Sequence, residues 1–168
     1  MKKLKYILLY SWIATGYAFT GYAQEQQDLN DLGNSIISSL QNNDPDAFLQ
    51  AHINKKDYEE LTSKSSKIAS KKEKTSDADS ESFDTLEEAY KNNFEEIIQK
   101  GISRQINWKE VNFFRIENAD KTTNEGNLPV IHNPIIVFTY KEEELKLQAD
   151  KIAKLNRGWV VVGNIAMQ

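Results

Sequence analysis

From Trp108 to Met167 the sequence carries four apolar runs separated by turn signals, and one amphipathic segment, Asp84 to Lys100, leads into them. Trp108 to Glu117 is rich in aromatic and branched residues, Ile135 to Tyr140 is continuously apolar, and Leu145, Leu147 and Ala149 alternate with Glu144, Lys146 and Gln148. Asn156-Arg157-Gly158 then turns the chain into Trp159 to Ile165. Branched and aromatic runs of this length, bounded by polar turns, predict strands, here one four-stranded antiparallel sheet. The second and fourth runs are apolar on both faces, which predicts that they lie deepest. Asn118 to Asn127 reads as a polar loop, and Pro134 stands just before the second strand, where a missing N–H does least harm.

The segment at 84–100 supplies the surface that such a sheet needs. Leu86, Tyr90, Phe94, Ile97 and Ile98 fall on one helical stripe, while Glu87, Glu88, Lys91, Glu95 and Glu96 fall opposite. Asp84-Thr85-Leu86-Glu87 predicts a capping box at its start, and Gly101 a left-handed C-cap that sets Ile102 against Ile97. Upstream, Asp28 or Asn30 is placed to cap a helix with Leu29, Leu32, Ile36, Ile37 and Leu40 on its buried side. Asp44-Pro45 predicts a second start, with Phe48, Leu49 and Ile53 turned inward, and Asp57-Tyr58-Glu59-Glu60 a third, carrying Leu61. Between Thr62 and Ser82 there are seven Ser and five Lys, with Ile68 and two alanines as the only apolar residues. So little to bury does not repay the entropy of ordering, and we expect a frayed helix to about Lys74, then a loop.

The amino terminus reads as an export signal. Lys2, Lys3 and Lys5 precede an uncharged, largely apolar run, and Gly21 and Ala23 put small residues at the −3 and −1 positions of a cleavage site before Gln24. An uncleaved membrane anchor is the rival reading, but Ser11, Thr15, Gly16 and Thr20 dilute the run's hydrophobicity. Residues 1–23 are thus expected to be removed, leaving a single domain over 24–168. Losing three lysines takes 21 basic against 25 acidic side chains to 18 against 25, a net charge of −7. An acidic surface repels nucleic acid and anionic lipid, so nucleic acid is not expected as a partner, nor a membrane except through an uncleaved leader. The chain has no cysteine, so no disulfide supports an exported fold and the core must do so alone.

Helices followed by a run of antiparallel strands describe an α+β domain. With Asn43-Asp44-Pro45-Asp46-Ala47-Phe48 restarting a helix, Gly101 to Trp108 leading into the first strand, and Arg157-Gly158-Trp159-Val160-Val161 closing the chain, the sequence resembles the nuclear transport factor 2-like and cystatin-like group of small domains, over roughly residues 28 to 167. The resemblance implies N-terminal helices packed on a curved four-stranded sheet in the shape of a cone. It points in particular to small exported proteins of Gram-negative bacteria, periplasmic or secreted. Members usually place a strand pair or helix where this chain has its Ser/Lys-rich segment, a departure that bears on the family's deep pocket.

Chemistry-bearing motifs are few. Without cysteine there is neither a thiol nucleophile nor a thiolate metal site, and no glycine-rich phosphate loop, Gly-x-Ser-x-Gly elbow or His-Glu-x-x-His helix occurs. Asp77 to Glu88 approaches the spacing of a twelve-residue calcium loop, but Ser82 stands where glycine makes the turn and Asp84 where an apolar residue belongs; an acidic linker running into a helix cap explains the same residues. Lys64, Lys67, Lys71 and Lys74 would share a helix face, a solvated flank or a contact for an anionic partner. His52 reads as a surface residue at a helix end and His132 as the start of a strand, rather than as catalysts. No catalytic residue, cofactor or metal is therefore expected. Trp108, Phe113, Phe114, Phe138, Tyr140 and Trp159 suit a packed core; should they leave a small apolar pocket, Trp108, Tyr140 and Trp159 are the choices for its rim, since each sits near a strand end and carries a polar atom. The function expected is an exported, non-enzymatic binding or interaction module taking a small apolar ligand or a protein partner. The alternative is an isomerase- or hydratase-like enzyme, which needs a buried carboxylate or an inward-facing His132.

Overall fold

The computed structural model of the protein describes residues 24–59, 61 and 83–168. The expected leader, residues 77–82 of the near-calcium loop over 77–88, and the lysine face at 64–74 fall outside them. Among the described residues four helices come first: α1 over 24–42, α2 at Pro45–Gln50, α3 over 55–59 and at 61, and α4 at Phe83–Ser103. Eight strands follow: β1 (Asn112–Glu117), β2 (Thr122–Glu125), β3 (Leu128–His132), β4 (Ile135–Tyr140), β5 (Glu143–Ala149), β6 (Lys151–Leu155), β7 (Gly158–Val161) and β8 (Ile165–Met167). They make two four-stranded antiparallel sheets, in the orders β1-β4-β5-β8 and β2-β3-β6-β7. The α+β class and the antiparallel pairing agree with the sequence reading; the single sheet does not.

One sheet becomes two because each long strand is broken at a common corner. The ladder continues through it: Asn133 N–H donates to the Asp150 carbonyl at 3.0 Å, Ala149 N–H to Pro134 at 3.0 Å and Asp150 N–H to Asn164 at 2.9 Å. Three chain crossings at the corner use left-handed backbone, at Asn118 (φ 63°), Asn133 (φ 50°) and Gly163 (φ 106°). Asparagine and glycine tolerate that region best. At Gly163 a side chain would also collide with Asp150, whose Oδ2 would lie 2.8 Å from its Cβ. The polar loop expected at 118–127 accordingly contains β2, and β3 and β6 fill stretches that the sequence reading assigns to no element. The first strand begins at Asn112 rather than Trp108, which opens a 3-10 turn, Trp108–Glu110, capped by Asn107. β4 and β5 are joined by a two-residue turn with positive φ at Lys141 and Glu142, the conformation that matches strand twist in tight hairpins.

The helices supply the core. On α1 Leu29, Leu32, Ile36, Ile37 and Leu40 are buried, as expected, but the helix is already formed at 24, with Asp28, Asn30 and Asp31 inside it and bonded to Gln24, Gln26 and Gln27. α2 starts as the sequence indicated: Asp44 accepts from Ala47 N–H at 3.0 Å with Pro45 in the first turn. An Asp44→Ala variant should lose about 1 kcal/mol in urea denaturation, the ordinary value of an N-cap. The third start is displaced by three residues. Asn54 is the cap, its Oδ1 accepting from Asp57 N–H at 2.9 Å while Asp57 Oδ2 accepts from Asn54 N–H at 3.0 Å.

On α4, Tyr90, Phe94, Ile97 and Ile98 are buried as the stripe required, and Phe48, Phe94 and Phe138 are among the side chains wholly lost from solvent. Gly101 lies within α4 and is not its left-handed cap; Gln105, at φ 59°, takes the left-handed conformation instead. Ile102 is therefore 56 % exposed rather than packed on Ile97. The buried Asn93 interrupts the stripe for a reason. Its amide donates to the Ile165 carbonyl at 2.7 Å and accepts from Ile165 N–H at 2.8 Å, so the helix hydrogen-bonds the edge of β8. The neighbouring edge, on β7, is taken by residues 51–53: Ile53 N–H donates to the Val161 carbonyl at 3.2 Å and Val161 N–H to Ala51 at 2.8 Å. On the first sheet's outer face, Arg115 joins Glu117 and Glu144, and Lys146 joins Glu117 at 2.9 Å, in the row that contains the buried Val137. Lys146 and then Arg115 hold the Glu117 carboxyl below its usual range.

Candidate functional site

The three residues expected at a pocket rim do not converge. Trp108 lies against the Cα of Gly101, stacks on Phe138 with ring centroids 5.6 Å apart, and directs Nε1 to the Ile98 carbonyl at 3.4 Å. Tyr140 is half-buried, its hydroxyl donating to the Gln105 carbonyl at 3.2 Å. Trp159 belongs to the other sheet, is buried, and lines an open cleft of about 330 Å³ with Asp31, Ser35 and Gln50. Its Nε1 meets no hydrogen-bonding partner among the described residues. The space beneath the first sheet, where an apolar pocket was expected, is occupied by Phe94, Phe138, Ile136 and Leu147, each 1 % exposed or less.

An apolar cleft lies elsewhere, against the second sheet. Ile53, Tyr58 and Leu61 border it on one side, Leu86, Ala89 and Tyr90 of α4 on another, and Val162 beyond the end of β7 on a third; Asp150, Lys151 and Asn164 supply its polar edge. Its volume is about 620 Å³, within the range of small-molecule sites. Alternation makes the site. In the second sheet Ile131, Ile152 and Val161 share one row and pack into the main core, whereas the row formed by Val130, Ala153 and Val160 belongs to the other face. Leu155 and Val160 on that face join Ile53 and Tyr90 in a second, smaller cluster, bordered by the half-buried Leu49, Tyr58, Leu61, Leu86, Leu128 and Val162. Six partly exposed apolar side chains stand together here, whereas the exposed Ile102 and Phe114 belong to neither cluster.

Behind this cleft sits His52, and here too the structure corrects the sequence reading. The residue expected at the surface is wholly buried, between Phe48 (ring centroids 4.6 Å) and Tyr90 (4.3 Å). Its Nδ1 lies 2.9 Å from the Phe48 carbonyl, and its Nε2 has no hydrogen-bonding partner among the described residues. Burial lowers its pKa to about 4; the Phe48 carbonyl opposes that shift and the Arg157 charge adds to it. Arg157 itself donates Nε to Asp57 at 2.8 Å, Nη1 to the Gln50 carbonyl at 2.9 Å and Nη2 to the His52 carbonyl. Asp57, the buried carboxylate of the described residues, is thus engaged by a cation and a helix cap. His132 is 46 % exposed at the end of β3, with Nε2 3.1 Å from Glu125, which also binds Lys151. Neither arrangement sets a free acid or base against a cavity. Among the described residues no group of three His, Asp or Glu could hold a metal ion, and no helix is long and apolar enough to cross a membrane. Comparison with protein-family models, with curated proteins and with solved structures gives no match.

Proposed function

We propose that the protein is an exported, non-enzymatic binding module that holds a small apolar ligand in the cleft between the second sheet and α3 and α4. The observation that carries this reading is the half-exposed wall of Tyr58, Leu61, Leu86 and Val162 around a space of ligand size. The chain between Leu61 and Phe83 offers only Ile68 and two alanines, too little apolar surface to satisfy that wall by composition. Two observations speak for binding over catalysis: the buried histidine is walled in by rings, and the buried carboxylate is neutralised by Arg157. Export rests on the leader-like sequence at 1–23, and the cone-shaped nuclear transport factor 2-like or cystatin-like architecture on the order of helices before bent antiparallel ribbons.

Titrating the protein with the neutral fluorescent probe N-phenyl-1-naphthylamine tests the reading. Saturable binding is expected, with a rise in melting temperature. Leu86→Asp should weaken it at least tenfold, since one charge in an apolar wall costs more than the ~1.4 kcal/mol that a factor of ten represents. Leu86 is half-buried in the first turns of α4, where an acidic residue favours the helix dipole, so the variant should fold. No binding by the wild type, or equal affinity in the variant, would refute the proposal.

A further inference from the structure

Resting on the cleft reading, we propose that the segment Ala51–Ile53 is an acid-released strap: a proton taken up by His52 frees it from the edge of β7 and opens the cleft that Ile53 and Tyr90 border. The strap is fastened to β7 by the two backbone bonds that join Ile53 and Val161, and Val161 and Ala51. His52 lies at the middle of it, beside Val161 in parallel register. A carbonyl can only accept, so the Nδ1 that faces Phe48 carries the ring proton and Nε2 is a bare lone pair. A second proton must go to Nε2, where no acceptor waits among the described residues. The ring would then hold a full charge between two aromatic side chains, with no counter-ion bonded to it among the described residues.

The groups around the ring reinforce this. Tyr90 faces it from α4, and Val161 from β7, a strand without ionisable residues. α2 carries only Asp46, exposed in its first turn, and α3 contributes Asp57, already bound to Arg157. From the β6–β7 turn comes Arg157, a cation seated on the carbonyl of His52 itself. Protonation thus sets a second positive charge beside the clamp that holds the strap. Burial and Arg157 together keep the ring neutral until about pH 4, so the strap is closed at neutral pH and yields in acid. Because Ile53 and Tyr90 are both wall residues, the cleft loses its shape when the strap leaves.

Amide hydrogen exchange on the purified, ligand-free protein, followed by NMR between pH 7 and pH 3 together with the His52 ring resonances, tests the strap. After correction for intrinsic rates, the Ile53 and Val161 amides should lose protection at least tenfold in step with the ring's titration, while amides paired between β4 and β5 keep theirs. His52→Leu should hold Ile53 and Val161 protected throughout; if that variant does not fold, the wild-type co-titration decides. Protection that persists after the ring has titrated, or an equal loss in His52→Leu, would overturn the proposal. In parallel, N-phenyl-1-naphthylamine affinity should fall at least tenfold with the strap. A probe that binds at neither pH counts against the cleft alone, and the exchange data still decide the strap.

Discussion

Acidification from pH 6.5 to pH 4 is expected to remove ~3 kcal/mol of stability through His52 alone. The folded protein holds this imidazole at about 4, against 6.5 for a free histidine. The unfolded chain therefore takes up the proton first. The contribution is fully present above pH 6.5, declines at up to about 1.4 kcal/mol per pH unit through the window, and is lost once pH falls below the folded value. Urea denaturation at closely spaced pH values reads it directly. His52→Leu should flatten the curve between pH 6.5 and pH 5, where most carboxylates are still ionised. A wild-type curve already flat there, or a variant with the wild-type slope, would show that the ring reaches solvent or an acceptor when charged. Leucine forgoes the bond to Phe48, so the variant should start lower at pH 7 and still lose less on acidification.

Gly101→Ala should destabilise the protein by about 2–3 kcal/mol, lowering Tm by roughly 4–12 °C. In a helix interior this substitution normally stabilises by 0.5–1 kcal/mol, so the sign itself is informative. A Cβ at 101 would stand 2.4 Å from Trp108 Nε1 and Cζ2, far inside contact distance. The indole cannot swing away freely, because it is buried and stacked on Phe138, itself wholly excluded from solvent. Differential scanning calorimetry decides between the two signs. A rise in Tm would mean that α4 and the 3-10 turn are not in contact through this ring.

Much of the fold was legible in periodic patterns, and the misses have physical causes. The stripe Tyr90-Phe94-Ile97-Ile98 and the Asp44-Pro45 start depend on residues within a turn or two of each other, and both stand as read. Gly101 misled because a glycine near a helix end serves equally as a left-handed cap and as a seat for a ring, and only Trp108, seven residues on, separates the two. The single expected sheet became two because its corner depends on Asn118, Asn133 and Gly163 taking left-handed backbone, which short polar stretches do not announce. Asn118 to Asn127 looked like loop since β2 faces solvent along its whole length. At the site, the aromatic residues chosen for their polar atoms proved not to share one rim: Trp108 and Tyr140 both tie the end of α4 and the connection after it to β4, whereas Trp159 lies on the other sheet. The apolar residues that border the cleft, Leu61 and Leu86, flank the Ser/Lys-rich stretch in sequence, and that flanking was the available signal. His52 was misplaced because a lone histidine after a short helix gives no sign of the parallel strap that buries it.

The fastening of β7 by Ala51–Ile53 and of β8 by Asn93 bears on how this protein would polymerise if it misassembled. Ribbons recruit further ribbons through unsatisfied backbone, and of the four margins the two sheets possess, those two are stoppered from within the molecule. Among the described strands, growth into fibrils would have to begin at β1, where the register shifts between Phe113 and Arg115, or at β2, four residues long and wholly polar. Neither is a good template, and a solution held near pH 4, where the strap yields, should be the condition that supplies a better one.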